Sequence, residues 1–366
     1  MNILLIAKHL NIGGIGWYTV NLARYLKKLN VNVFVASCGG ELVRELDKDS
    51  IVHLALDLNT KSEISPKVFF AVNKLSQFVR ENKIELVHAQ TRVTQVLSYF
   101  VAKQTGIAYV STCHGFYKIR FWRKLFPFLG RRVIFVSEYC KNSFSQALSI
   151  PPEKIKVIHN GIDLAKFHDL PDDKSKEEVK DMLGLDLNNP VIGTIARLSP
   201  AKRIDILLEV FKKVKSTIPQ AQLLIIGGGP EEENLKQKAR MLSILENVKF
   251  VDSVSSTVNA LSAIDVFVTC TEVKSFGLGI VEAMAGALAV VASRVGGIPE
   301  VLKDKKNGFL VNFNDQDGFK ELIIMLLKDK QLRLSIGQEA RKSALSYFSL
   351  ERMAKQTLEV YQEVLS

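Results

Sequence analysis

The chain has 366 residues, 47% of them apolar and only 10 of them proline, which is enough for two domains with ample cores and excludes a disordered polymer. Its charge is lopsided, because residues 1–170 hold 23 Lys and Arg against 12 Asp and Glu, whereas 171–366 hold 26 of each, so any anionic partner is expected on the first half. The opening MNILLIAKHL is unlike a signal peptide, no run of about 18 apolar residues exists to span a bilayer, and Cys38, Cys113, Cys140 and Cys270 are too scattered for a disulfide framework or a zinc site, so a cytoplasmic globular protein is expected.

In chain order, an apolar run from Asn2 to Ala7 predicts a strand. A loop containing Gly13 and Gly14 follows, then a helix with Val20, Leu22, Ala23 and Leu26 on one side. The glycine pair reads either as a tight turn or as backbone amides offered to a phosphate, and it lacks the dinucleotide spacing. Further strands are expected over Val31–Ala36, Ile51–Leu56, Ile84–His88, Ile107–Thr112, Val133–Val136 and Ile155–Ile158, with helical stretches between several of them. Alternating strands and helices imply a parallel, doubly wound α/β sheet that binds ligands at the carboxyl ends of its strands.

His114, followed by Gly115, stands at such an end, where a lone histidine is either structural or catalytic. Next comes FYKIRFWRKLFPFLGRR, residues 116–132, with six basic and six aromatic residues and no acid. Within it Lys118, Arg120, Phe121, Trp122, Arg123 and Lys124 form a candidate membrane-docking patch. Stacking on a nucleic acid and a partly buried helix with a solvated face are the alternatives, and membrane docking is preferred. The turn at Asn160-Gly161-Ile162-Asp163 and the polar stretch 171–180 then read as a domain end and a linker.

A second series begins with a strand at Ile192–Ile195, followed by Arg197-Leu198-Ser199-Pro200-Ala201-Lys202 and a helix. An Arg fork and a Lys point charge beside a helix start can clamp a diphosphate, or can be ordinary loop charges. Leu223–Ile226 lead into Gly227-Gly228-Gly229-Pro230, which does not complete a G-x-G-x-x-G fingerprint and so argues against a dehydrogenase. Ile264–Thr269 predict a buried strand and Leu278–Leu288 a helix starting beside Gly277. Bare amides at that helix start suit a phosphate or a sugar hydroxyl, and Glu282, one turn in, can reach back to the same place or simply be exposed. Three helices close the chain after a strand at Phe309–Val311, and the last covers about 351–365.

Phe276-Gly277-Leu278 with Glu282-Ala283-Met284-Ala285 resembles the E-x7-E region of the retaining glycosyltransferases of family 4, where the run is Glu, any residue, Phe-Gly-Leu, three residues, then Glu-Ala-Met-Ala. The first Glu of that pattern is replaced here by Lys274, with Glu272 two residues early. The resemblance implies the GT-B fold: two Rossmann-like doubly wound domains facing a central cleft, 1–170 for the acceptor and 186–350 for the nucleotide sugar, with the helix at 351–366 crossing back to the first. It also implies that Arg197 and Lys202 hold the donor diphosphate and that Glu282 grips the ribose. The same resemblance places His114 close to the donor sugar and leads us to expect Gly13, Gly14, Gly228, Phe276, Gly277 and Leu278 to line the donor site.

The activity expected from this likeness is metal-independent, cofactor-free transfer of a sugar from a nucleoside diphosphate, UDP by expectation, to a lipid-linked or polysaccharide acceptor. Lipopolysaccharide, capsule or glycolipid synthesis would be its setting, at the cytoplasmic face of an inner membrane with an anionic surface, and no nucleic acid is expected as partner. Lys274 points to an acidic donor sugar such as a uronic acid. Two alternatives stay open: a catalytically impaired scaffold that partners an active transferase, and a nucleotide-sugar epimerase.

Overall fold

The computed structural model describes residues 1–60, 62–115, 121–170, 172–252, 257–273 and 275–366. Lys118, Arg120 and Lys274 lie outside the described residues, as does the side chain of Trp122. The chain forms two compact units, Met1–Gly161 with Leu350–Ser366, and Ile162–Ser349. The first unit therefore stops nine residues short of the boundary expected at 170. Arg341 donates to the carbonyl oxygens of Phe167 and His168 at 2.6 and 3.2 Å, and Ile162 N donates to Phe348 O at 2.8 Å, which ties residues 162–168 to the second unit.

In the first unit the order is β1 (Asn2–Ile6), α1 (Gly14–Lys28), β2 (Asn32–Ser37), α2 (Val43–Lys48), β3 (Val52–Ala55), α3 (Pro66–Glu81) and β4 (Leu86–Ala89). It continues through α4 (Arg92–Thr105), β5 (Ala108–Cys113), α5 (Phe121–Leu125), β6 (Arg132–Phe135), α6 (Glu138–Leu148) and β7 (Ile155–Val157). All neighbours pair in parallel, in the order β3-β2-β1-β4-β5-β6-β7. The central strands β4 and β5 are buried along their whole length because both faces are covered. Ile3 and Leu5 enter one core with Leu22 and Leu26 of α1, while Leu4 and Ile6, one pleat away, enter another with Leu75 of α3 and Leu97 of α4.

The second unit runs through α7 (Asp173–Met182), β8 (Val191–Ile195), α8 (Ile204–Lys215), β9 (Gln222–Ile226), α9 (Glu232–Met241), β10 (Val248–Val251) and α10 (Thr257–Ser262). Then come β11 (Val266–Thr269), α11 (Leu278–Ala285), β12 (Ala289–Ser293), α12 (Ile298–Val301), β13 (Phe309–Val311), α13 (Gln316–Lys328) and α14 (Lys330–Tyr347). Its parallel order is β10-β9-β8-β11-β12-β13. The polar stretch read as a linker is instead mostly α7, whose first turn is capped by the Asp172 carboxylate accepting from Ser175 N at 2.8 Å. The last helix, α15 (Leu350–Leu365), packs on α1 and inserts Met353, Tyr361 and Val364 into the core of the first unit.

Each sheet begins at the third strand of its order, grows to the nearer edge, then jumps back to the other side of that strand. The crossover directions therefore reverse between β1 and β4 in the first unit and between β8 and β11 in the second, the switch points beside which such sheets bind ligands. Among the described residues no helix is long and apolar enough to cross a membrane.

Candidate active site

In the second unit the loops at the strand ends are laced to one another. Ala196 N donates to Ile226 O at 3.0 Å, Leu198 N to Gly228 O at 3.0 Å and Gly227 N to Val251 O at 2.8 Å, which extends the ladder beyond β8, β9 and β10. Gly229 is required by proximity, since a Cβ there would lie 2.2 Å from Leu198 O. Arg197, held between two tied residues, presents an exposed side chain beside the Gly227–Gly229 turn. Lys202 ends a single 3₁₀ turn, Pro200–Lys202, and is half-buried.

The loop after β11 is fastened to the same turn. Thr271 Oγ1 donates to Ala201 O at 2.9 Å and Glu272 N donates to it at 3.3 Å. Arg203 adopts φ +49° at the start of α8, where its guanidinium forks onto Asp205 at 3.0 and 3.1 Å and lies 3.6 Å from the Glu272 carboxylate. The third cation of the loop is thereby engaged by protein acids, and Glu272 is drawn towards it. Phe276, 2% exposed, is set edge-on to Phe348 with ring centres 5.7 Å apart. Gly277, at φ +120°, opens α11, and Leu278 begins it. A Cβ on Gly279 would come within 3.4 Å of Ile195 O, so this face of α11 abuts the end of β8, and Glu282, three residues on, shares that face and is half-buried. Arg197, Lys202 and Gly228 thus lie on tied loops that leave β8 and β9, while Phe276, Gly277 and Leu278 lead into α11, whose Gly279 and Glu282 face abuts the end of β8.

The first unit has a corresponding group of its own. Gly13 and Gly14 are exposed at the start of α1, after β1. His114 follows β5, and its Nε2 is 2.9 Å from Oε1 of Gln90, the residue directly after β4. Tyr18 of α1 stands edge-on to the His114 ring with centres 4.5 Å apart. Burial pushes the His114 imidazole down to about 3, so the ring is neutral at pH 7. His88 bridges Tyr361 of α15, at 2.6 Å from Nδ1, and Thr112, at 2.7 Å from Nε2. His88 is likewise lowered to about 3, by burial first and by His114 second. Burial also lifts the Tyr18 phenol to about 12.

Gln90, Tyr18 and His88 were not singled out by the sequence reading. Gln90, like His114, is a polar residue just after a predicted strand, a signal by which it could have been found. One element of the docking patch is corrected: Arg123 is 5% exposed with its guanidinium 5.6 Å from the centre of the Phe144 ring, so it faces the interior of the first unit rather than a headgroup layer. Phe121 and Lys124 on the same short helix are exposed.

The model for glycosyl transferases group 1 matches residues 175–343, and that for glycosyltransferase family 4 matches residues 12–166. A Corynebacterium glutamicum protein, the GDP-mannose-dependent monoacylated alpha-(1-6)-phosphatidylinositol monomannoside mannosyltransferase, is 30% identical over 306 residues, 79% of either chain. The chain belongs to the family 4 glycosyltransferases. A crystal structure of a Rickettsia africae glycosyltransferase, 25% identical, matches this family 4 glycosyltransferase over 100% of its length and 98% of the other chain with a TM-score of 0.90. The Anabaena protein Alr3699/HepE, solved with UDP and glucose, covers 99% of both chains at 22% identity with a TM-score of 0.87 and shares the fold. The two Rossmann-like units of this glycosyltransferase are those of the GT-B architecture.

Proposed function

We propose that this glycosyltransferase moves a sugar, with retained anomeric configuration, from a UDP-sugar to a lipid-linked or polysaccharide acceptor in lipopolysaccharide, capsule or glycolipid synthesis. What supports the reading is that Arg197, Lys202 and the Gly228 turn lie on the tied loops after β8 and β9, and Glu282 on the face of α11 that abuts the end of β8. As the bond from the anomeric carbon to the diphosphate oxygen breaks, charge grows on the leaving phosphate. The Arg197 fork and the Lys202 ammonium stabilise it there without a metal. Glu282 accepts hydrogen bonds from the ribose hydroxyls, and the amides opening α11 meet the sugar or phosphate. The acceptor hydroxyl attacks the oxocarbenium-like carbon from the face the phosphate leaves, and its proton passes to the departing phosphate oxygen. The names of two similar proteins, one GDP-mannose-dependent and one solved with UDP and glucose, support a nucleotide-sugar donor.

Calorimetric titration with UDP tests this. Arg197→Ala or Glu282→Ala should weaken binding by roughly tenfold to hundredfold, the value of a charge-assisted hydrogen bond. Unchanged affinity in both variants would sink it, and turnover that survives a chelator supports the metal-free mechanism. Lys274 gives the donor reading its finer form, in which its ammonium pairs with the carboxylate of a uronic acid. Wild type should then prefer UDP-glucuronate over UDP-glucose and Lys274→Glu should reverse the order, whereas a wild-type preference for the neutral donor refutes it. Turnover by the purified chain alone excludes the scaffold alternative.

Peripheral attachment to an anionic membrane is the second part of the proposal, through a face wider than the sequence indicated. Phe69 of α3 meets Phe100 of α4 at 5.2 Å, Phe100 meets Phe128 at 6.3 Å, and Phe128 stacks with Phe126 at 6.0 Å, giving a ladder of rings. Beside it a groove of about 690 Å³ is rimmed by Lys103, Arg131, Arg132 and Lys154, with no acid in its lining. Phe70 and Phe126, 79% and 54% exposed, suit the boundary between headgroups and acyl chains. Phe126→Ser with Lys103→Glu should abolish co-sedimentation with phosphatidylglycerol vesicles, and equal binding to phosphatidylcholine vesicles would reject the anionic surface as partner.

A further inference from the structure

The strand-end cluster of the first unit contains a side chain to which the donor reading gives no task. Gln90 is 1% exposed and is fixed at both levels: its backbone N donates to Ile6 O at 2.9 Å, and Thr91, next in the chain, caps α4 with a capping box. Its side-chain oxygen meets Nε2 of His114, and its side-chain nitrogen has no hydrogen-bond partner. A carbonyl oxygen only accepts, so a neutral imidazole facing it places its single proton on Nε2 and leaves Nδ1 as a lone-pair acceptor. Tyr18, edge-on against the ring, limits its rotation.

We infer that Gln90 is the positioning residue for His114: it holds the imidazole as the Nε2–H tautomer, so that Nδ1 accepts a hydrogen bond from a sugar hydroxyl, and offers its own amide N–H to an oxygen of the same ligand. The second half follows from the unmet donor, because a buried amide nitrogen left without an acceptor is costly and is tolerated where a ligand supplies one. The pairing selects for hydroxyl over an acceptor-only group at the histidine, and for an oxygen acceptor beside it. This assignment deepens the donor reading and rests on it for the identity of the ligand, whereas the tautomer itself does not.

The test begins without substrate. In the full-length chain carrying ¹⁵N-histidine, long-range nitrogen–proton correlation spectra at pH 7.5 report which ring nitrogen bears the proton, and His114→Asn assigns the signal. The wild type should show His114 protonated on Nε2. Gln90→Leu should give a mixture of tautomers, while Gln90→Glu should keep the proton on Nε2 and raise the pH at which His114 titrates, since a carboxylate favours the imidazolium. A wild-type proton on Nδ1, or an unaltered tautomer in a folded Gln90→Leu protein, overturns the inference. Should the leucine variant fail to fold, an unmoved titration in Gln90→Glu overturns it as well. With a donor in hand, Gln90→Leu should lower kcat by roughly threefold to tenfold, one hydrogen bond's worth, and Gln90→Glu should restore part of it. If the chain transfers no sugar, the spectra still decide the positioning role.

Discussion

Two neutral imidazoles, His88 and His114, are held well below the ordinary histidine value of 6.5 by burial. The unfolded chain binds a proton at each of these positions below about pH 6.5, whereas the folded chain does not until about pH 3. Stability is therefore complete above the unfolded value and falls as the solution is acidified through that window. Carboxylates such as Asp57, held below their usual range by a hydrogen bond from Lys67, add to the loss only lower, in the carboxylate range. Thermal melts from pH 7.5 to 5 should show a steadily falling midpoint. His88→Gln, which removes the titrating group and keeps polar atoms for Thr112 and Tyr361, should flatten that slope. A variant with the same slope would mean that the loss arises elsewhere. At this scale the sequence was half legible. His114 stood out because it followed a predicted strand, but its partner lies 24 residues earlier at the end of another strand, and only the sheet order makes β4 and β5 neighbours.

The strands were legible because parallel strands covered on both faces are short apolar runs, as in Leu223–Ile226 or Ala289–Ala292. Helix α7 was not, since its only large apolar residues are Val179 and Met182 and its start depends on the Asp172 cap rather than on an apolar stripe. The docking segment announced its chemistry, aromatic and cationic, but composition does not say which side chains turn inward, and Arg123 does. The glycine turn after β9 offers a sharper test of how the loops are built. A Cβ on Gly228 would meet only Asp252 Oδ1 at 3.8 Å, whereas one on Gly229 would lie 2.2 Å from the Leu198 carbonyl oxygen. Gly228→Ala should melt close to wild type. Gly229→Ala should lose about 1–3 kcal/mol, the usual cost of overpacking, and should also weaken UDP binding because Arg197 precedes the displaced Leu198. Equal melting temperatures for the two variants would contradict the close approach.

For the molecule as a whole, the decisive feature is that one unit is made of two separated stretches of chain. Met353, Tyr361 and Val364 of α15 are wholly or almost wholly buried in the first unit, and Tyr361 supplies the oxygen that His88 Nδ1 contacts. Removing residues 350–366 should therefore expose the apolar face of α1 and leave His88 with an unmet ring nitrogen. Limited proteolysis of the shortened chain should then degrade 1–161 while a fragment spanning about 162–349 persists and still binds UDP. Equal resistance of both parts would show that α15 is dispensable to the first core.

The same threading governs the order in which a ribosome can complete the protein. The unit that emerges first lacks a layer of its interior until residues 350–366 have been made, by which time the later-born unit, contiguous in sequence, has all its strands in hand. Synthesis thus reverses the usual amino-to-carboxyl order of domain completion. The early half must wait with α1 uncovered, so its exposed apolar face is a standing target for holding chaperones throughout translation.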